Sequence, residues 1–276
     1  MNLAALRGEL NKLYRQRVSY MSFVVVLVLV GLITWGSHHH RHRLDIGEQV
    51  GSEFVVAGNA ITALFVARAV MEVALVVLMP LLIAVVVAGL VAGERQSGTL
   101  RTLLTRPVHR RAILLAKLAA GWSFAIALTL FLGLTALGLG HLVFGWGDLV
   151  VMWRGLTVFD AQTGLFRLAI GYGLASAAMC TVAALGLMLS TIFDSPMAAA
   201  GLTVAVLLVS GAVGVMPYFE FLEPHLPTTH LNLHREAFAG AIDSTSLLTS
   251  AAYLGGYTLV SLLVAVVVFE RRDVTS

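Results

Sequence analysis

The sequence predicts an all-α polytopic membrane protein, because its composition is too apolar for a soluble fold and its apolar residues form long uninterrupted runs. Of its 276 residues, 58% are hydrophobic and 12% are charged, whereas about a quarter of the residues in a soluble domain carry charge. Six runs are long enough for a helix of about 20 residues to cross a membrane. They cover residues 18–35, 59–92, 112–139, 168–190, 197–216 and 247–269.

The segment before the first run, residues 1–17, predicts an amphipathic helix lying in the membrane interface. Leucines recur there at spacings of three and four, while Arg7, Lys12 and Arg15 fall on other faces. The alternative is a plain extension of the first span. We expect no cleavable signal peptide, since the segment is long and polar and no small-residue cleavage motif follows the first run.

Two features of the spans themselves follow from the sequence. Pro80 lies inside the second run and predicts a kink in that helix, which either serves a transport movement or is a plain packing feature. Only residues 191–196 separate the fourth and fifth runs, so these two spans are expected to form a tight hairpin.

The distribution of Lys and Arg predicts that both termini are cytoplasmic, because cations in short loops are retained on the inner side. With the N-terminus inside, twelve of the 18 Lys and Arg lie inside: four before the first run, six in residues 93–117 and two after the last run. Five lie outside. We therefore expect a multi-pass protein of the bacterial cytoplasmic (inner) membrane.

The loop after the second run carries the most informative pattern in the chain. Residues 93–117 read GERQSGTLRTLLTRPVHRRAILLAK. Leu100, Leu103 and Leu104 make a small apolar face that Pro107 closes. Residues 94–111 therefore predict a cytoplasmic loop with a short amphipathic helix, a shape suited to docking on a partner protein.

This loop resembles that of the permease subunits of ATP-binding-cassette (ABC) transporters of the type-2 export class. The resemblance extends over essentially the whole chain, and the segment 226–232, LPTTHLN, is similar to the family's region before the last span. A Lys entering the third span, here Lys117, completes the loop pattern. The resemblance implies that the loop is a coupling helix that contacts an ATPase through Glu94, Gly98, Thr99, Leu100, Leu103, Leu104, Pro107 and Arg110.

The resemblance also implies an assembly of two six-span permeases, each seated on a separate ABC ATPase subunit. ATP and Mg²⁺ are then bound by that ATPase, and no cofactor is expected in this chain. A phosphate-binding loop needs Lys-Ser or Lys-Thr after its second glycine, but Thr99 and Leu100 follow Gly98. We therefore expect that this chain is not an enzyme and that a separate subunit hydrolyses ATP. The expected partners are the ATPase, a second permease copy or a homologue, and the lipid bilayer, with a periplasmic partner left open and no nucleic acid.

Residues 217–246 predict an outer re-entrant or gate segment. They are too apolar for a free loop, and Pro224 and Pro227 break them too often for a span. We expect the segment to cap the outer end of a translocation path. The spacing of Arg68 and Glu72 allows an ion pair that is either structural or part of a gate. The candidate gate residues are Arg68, Glu72, Phe219, Phe221, Glu223 and Leu226.

Two groups of histidines could bind metal, but a plainer interpretation is favoured for both. The first group is His38, His39, His40 and His42; imidazoles suit Zn²⁺ or Cu²⁺, yet neighbouring arginines repel cations, so a solvated loop is expected. The second group is His225, His230 and His234, where packing or gating is favoured over a metal or proton site.

The predicted function is that of the permease subunit of an ATP-driven ABC transporter. It either exports a hydrophobic or amphipathic substrate or transmits an ATP-driven conformational change to extracytoplasmic partners. An ATP-independent secondary transporter or channel would need charged residues at mid-depth, and the last four runs carry none when the third is counted from Leu118. An intramembrane hydrolase would need a His/Glu or Asp pair within the spans, and none is found there.

Overall fold

The computed structural model describes residues 3–39, 61–99, 109–152, 156–240 and 243–272. The described residues include six helices long and apolar enough to cross a membrane, which confirms the predicted all-α polytopic fold. These helices are α2 (Arg17–His39), α3 (Ala63–Gln96), α4 (Arg110–Phe144), α5 (Ala161–Ile192), α6 (Pro196–Val215) and α8 (Ser244–Arg271). The helix α1 (Leu3–Arg15) precedes them, and the short α7 (Pro227–Leu231) lies between α6 and α8.

Helix α5 forms the centre of the bundle and packs against α3, α4, α6 and α8. In its most apolar stretch 72% of the residues are buried, whereas α2, α6 and α8 bury 28%, 28% and 22%. These three peripheral helices expose large apolar side chains such as Leu32, Val209 and Leu263. Such surfaces are stable against lipid or against another apolar helix, but not in water.

The bundle has two ends that can be told apart by what lies there. At the α1 end, α1 packs on the first turns of α4, and the last turn of α8 contacts the start of α4. At the opposite end, here the hairpin end, strands β1 (Leu149–Met152) and β2 (Leu156–Phe159) pair antiparallel, with Leu149 opposite Phe159. The sequence did not predict this hairpin, because strands of four residues are too short for a periodic pattern.

Side-chain caps set where several helices begin. Helix α3 begins at Ala63 rather than at the predicted residue 59, because the Thr62 hydroxyl accepts a hydrogen bond from the Phe65 amide at 3.2 Å. Such a cap satisfies one of the free amides of the first turn. The side chains of Asp160, Ser195 and Asp243 cap α5, α6 and α8 in the same way.

Helix α3 contains two π-helical turns, Ala74–Leu78 and Gly89–Gly93. The first ends just before Pro80, at the position of the predicted kink. Proline lacks an amide proton and its ring crowds the preceding turn, so the wider π-helical turn accommodates it. The second lies immediately before Glu94 and so sets how α3 enters the following loop.

Candidate functional site

The first part of the predicted coupling loop is a tight helix end at the α1 end of the bundle. Gly98 adopts a left-handed backbone with φ of +72°, and its amide donates to the Arg95 carbonyl at 3.0 Å. The Thr99 hydroxyl donates to the Glu94 carbonyl at 3.3 Å. A glycine with positive φ commonly ends a helix, so the Gly-Thr pair of the motif turns the chain out of α3.

Four of the predicted coupling residues, Leu100, Leu103, Leu104 and Pro107, lie outside the described residues. Their amphipathic helix therefore stays a prediction. Arg110 lies at the start of α4, where its guanidinium donates to the carbonyls of Glu270 and Arg272 at 3.2 and 3.4 Å. This contact joins the end of the loop to the last turn of α8.

Glu94 differs from the expectation that its side chain faces a partner. Its side chain is only 5% exposed, and its carboxylate Oε1 lies 2.7 Å from Lys117 Nζ. Lys12 of α1 also contacts this carboxylate. The physical reason is that Lys117, two turns into α4, is fully buried and needs a counter-charge within the protein.

Sequence reasoning did not identify the second acid on Lys117, which is Glu9 of α1 at 3.0 Å. Glu9 is the only acidic residue in the first 17. It lies four residues before the buried Leu13, on the same helical face. A lone acid on the apolar face of an amphipathic helix was the signal available.

A second charged group at the α1 end lies on the turn between α5 and α6. Asp194 lies 2.9 Å from the Arg95 guanidinium and 3.3 Å from that of Arg272. Arg272 also donates to the Thr191 carbonyl at 3.0 Å. Three separate parts of the chain, the end of α3, the α5–α6 turn and the end of α8, are joined there.

The π-helical turn Gly89–Gly93 is stabilised from α5 by one hydroxyl. Ser190 Oγ accepts hydrogen bonds from the amides of Val91 and Ala92, at 3.3 and 2.9 Å, and donates to the Ala88 carbonyl at 2.7 Å. A π-helical turn leaves backbone groups without their usual helical partners, and such turns often occur at functional sites. Ser190 supplies those partners next to Glu94.

At the hairpin end, Arg68 and Glu72 do approach each other, with 3.7 Å between Arg68 Nη2 and Glu72 Oε1. The closer partner of Glu72 is Arg235, at 2.8 Å. Arg235 belongs to the 3₁₀ helix Asn232–Phe238, so Glu72 attaches the segment between α6 and α8 to α3. His234 Nε2 lies 4.0 Å from Glu72 Oε1.

His234 is almost fully buried, and burial lowers its pKa to about 4, from an ordinary value of 6.5. The Arg235 and Arg68 guanidinium groups act in the same direction, and Glu72 opposes them. His234 is therefore neutral at physiological pH. A neutral imidazole packed beside an Arg–Glu pair suits the packing role predicted for these histidines.

The described part of the predicted gate segment, residues 217–240, consists of short helical turns. Phe221 is 70% and Phe219 is 39% exposed; Glu223 is exposed and Leu226 is half-buried. Its far end is held by Arg167 of α5, which donates to the carbonyls of Ala237 and Ala239 at 3.1 and 2.8 Å. Three of these four candidates are therefore exposed and Leu226 is half-buried, in a segment that is attached to α5 at its far end.

His230, a predicted packing or gating residue, is buried between the segment and α8. Its ring stacks on Tyr253 with 4.2 Å between centroids. Its two nitrogens lie 3.1 Å from Ser250 Oγ and 3.0 Å from the Pro224 carbonyl. These contacts fasten the segment to α8.

His38 and His39 end α2 at the hairpin end, and the ring of His39 stacks on Trp35. His40 and His42 lie outside the described residues. Across the ranges that the structure describes, no group of three or more His, Cys, Asp or Glu side chains is arranged to hold a metal ion.

A family model described as ABC-2 family transporter protein matches residues 3–274, nearly the whole chain. A comparison with curated proteins finds no significant match.

Proposed function

Because this chain belongs to the ABC-2 transporter family and is thus a permease component, we propose that ATP hydrolysis in a separate ABC ATPase drives it. ATP and Mg²⁺ are bound by that ATPase and not by this chain. The observation that carries the proposal is the family match over residues 3–274. It covers the α3–α4 connection, where the motif residues Glu94, Gly98 and Thr99 end a helix at the α1 end.

The proposed coupling surface consists of the exposed residues Ser97, Gly98 and Thr99, together with the predicted leucine face of Leu100, Leu103 and Leu104. Glu94 contributes indirectly, by holding the start of this surface through Lys117. The proposed orientation places the α1 end in the cytoplasm of a bacterial cell, with the protein in its inner membrane. The excess of Lys and Arg toward that end supports it.

The proposed cargo is hydrophobic or amphipathic, and the proposed direction is export. The described spans carry most of their charges near their ends, and apolar side chains cover the flanks of α2, α6 and α8. A second copy or a homologous permease would complete a path between two such bundles. The alternative kept within the same function is that the movement is passed to an extracytoplasmic partner through residues 217–240.

The experiment is to co-express this chain with an ABC ATPase from the same organism. The ATPase chosen should itself have no membrane spans. We expect the two chains to purify together in mild detergent, with two copies of each by native mass spectrometry. Leu103→Asp should abolish recovery of the ATPase, since it puts a charge on the docking face. The matched control is Tyr218→Asp at the hairpin end, where the side chain is 88% exposed and recovery should be normal.

Direction is tested by reconstituting the complex into vesicles with the ATPases facing outward. ATP added outside should drive an amphipathic fluorescent dye into the lumen. Transport by a monomer without any nucleotide-binding partner would contradict the proposal.

A further inference from the structure

Four charged side chains from three helices meet at the α1 end; three are buried, and the fourth, Lys12, is 46% exposed. Lys117 Nζ lies 2.7 Å from Glu94 Oε1 and 3.0 Å from Glu9 Oε2, and Lys12 Nζ also contacts Glu94. The side-chain exposures of Lys117, Glu94 and Glu9 are 0%, 5% and 9%. We call these residues the four-charge cluster. Two cations and two anions make it neutral, which is what allows charges to be buried at all.

The cluster lies where the predicted coupling loop leaves and re-enters the bundle. Glu94 is in the last turn of α3, and Lys117 is about two turns into α4. The residues between them, 95–116, include the whole predicted docking face. The Glu94–Lys117 ion pair therefore closes the base of this loop, and Glu9 fastens α1 to the same point.

Burial makes this attachment stiff. Separating the buried Glu9–Lys117 or Glu94–Lys117 pair leaves unpaired charges in a medium of low dielectric constant. An exposed pair such as Arg111–Glu270, at 69% and 36% exposure, can exchange its partners for water instead. The ends of α3 and α4 and the middle of α1 are therefore held as one unit.

We propose that Glu94, Lys117 and Glu9 are positioning residues that keep the base of the coupling loop rigid and make α1 move together with it. A displacement applied at the docking face then reaches α3 and α4 instead of being absorbed by bending at the base. The inference deepens the proposed function and rests on it. It assigns α1 to the force-transmitting unit, beyond its expected place in the membrane interface.

The first test measures rigidity and needs no cargo. Spin labels are placed at Arg7→Cys on α1 and Ser97→Cys at the loop base, both exposed positions, in a Cys180→Ala background. We expect one narrow distance distribution, unchanged by ATP in the complex with the ATPase. The neutral variant Glu9→Gln/Glu94→Gln/Lys117→Met should broaden it. A broad distribution before neutralisation, or equal widths in both proteins, would overturn the inference.

The second test measures coupling. In the neutral variant no buried charge is left without a partner, so it should assemble and hydrolyse ATP, while dye transport per ATP falls about fivefold or more. The charge-reversed variant Glu9→Lys/Lys12→Glu/Glu94→Lys/Lys117→Glu restores every ion pair and should recover transport. Glu270→Gln, which removes an exposed ion pair at the same end, is the control and should transport normally.

Equal transport per ATP in the neutral and unmutated complexes would overturn the inference while leaving the proposed function standing. If the neutral variant does not assemble, the charge-reversed variant decides: recovery of transport supports the inference, and assembly without coupling overturns it. Absence of ATP-dependent transport in the unmutated complex would instead count against the proposed function. The label distances would still report on rigidity in that case.

Discussion

Lys117 and Glu94 carry charges that neither residue could keep alone at its buried position. Their nitrogen and oxygen atoms lie 2.7 Å apart, with Glu9 on the other side of the ammonium group. The residue-level consequence is that an acid in a motif associated with partner contact has its closest contacts inside its own chain. In the proposed function, Glu94 therefore affects the partner only through the backbone that it holds in place.

Replacing Lys117 alone should be severely destabilising. Lys117→Met leaves Glu9 buried without its cation, and breaking a buried ion pair in this way costs about 3–5 kcal/mol. Thermal unfolding in detergent would measure the loss. Arg111→Met removes a cation that is 69% exposed and should leave the midpoint unchanged. Equal effects of the two changes would contradict the burial of Lys117.

The lowered pKa of His234 predicts how the free energy of unfolding depends on pH. Its pKa is about 4 in the folded protein and about 6.5 when unfolded, so the unfolded chain binds the extra proton between these values. Stability should therefore fall as the pH is lowered from about 6.5 to about 4, by about 3 kcal/mol at most. Below pH 4 this contribution no longer changes.

The check is the unfolding midpoint against pH for the unmutated protein and for His234→Phe, which cannot be protonated. The pH dependence in that window should weaken in the variant. His225→Phe, at an exposed position, serves as the control and should retain the full dependence. An unchanged slope in His234→Phe would mean that other groups carry it.

At the scale of the element, α3 is the helix whose shape depends most on its neighbours. Its two π-helical turns divide it into segments, and the second turn has its backbone groups satisfied by Ser190 of α5. Because Glu94 follows directly, the direction in which α3 enters the proposed coupling loop depends on a hydroxyl almost a hundred residues away in the sequence.

Ser190→Ala should therefore destabilise the protein by about 1–3 kcal/mol, since it leaves buried backbone groups without partners. Ser176→Ala is the matched control, because that hydroxyl only donates to the Tyr172 carbonyl one turn earlier in its own helix. Thermal unfolding measures both changes, and hydrogen exchange at residues 89–93 should rise only in Ser190→Ala. Comparable exchange in both variants would exclude the stabilising role of Ser190.

At the scale of the whole molecule, the two ends of the bundle are attached to their peripheral parts by different means. At the α1 end, ion pairs join α1, α3, α4, the α5–α6 turn and α8. At the hairpin end, the 217–240 segment is held by Glu72–Arg235, Arg167 and the His230–Tyr253 stack. A movement of the spans relative to one another would therefore change these contacts at both ends of the bundle.

The orientation of these ends in the membrane is tested by cysteine labelling in a Cys180→Ala background. Glu223→Cys at the hairpin end should react with a membrane-impermeant reagent added to intact cells. Ser97→Cys at the α1 end should react only after the membrane is opened. Both side chains are exposed, so accessibility within the protein does not bias the comparison. The reverse pattern would place the coupling loop outside and exclude an ATPase there.

The fold class could be read from the sequence because a helix that crosses a membrane satisfies its own backbone and needs only a long apolar run. The positions of the six spans and the family motif in residues 93–117 are local properties of this kind. The start of α3 at Ala63 also depends on a local interaction, the hydrogen bond that the Thr62 side chain accepts from the Phe65 amide. The sequence did not predict it, because the cap requires the extended backbone of Thr62, which the structure shows.

The partners of the buried charges, in contrast, could not be predicted from local sequence properties. Glu9 and Lys117 are 108 positions apart and Ser190 is 98 from Ala92, and no periodicity relates residues at such separations. Their meeting depends on how α1, α3, α4 and α5 pack, because the strength of an ion pair or hydrogen bond depends on distance and burial. Composition and spacing identified the membrane bundle, and a resemblance to a known family indicated the coupling loop, which stays a prediction; the packing of the helices placed Glu94 inside the protein and Arg235 on Glu72.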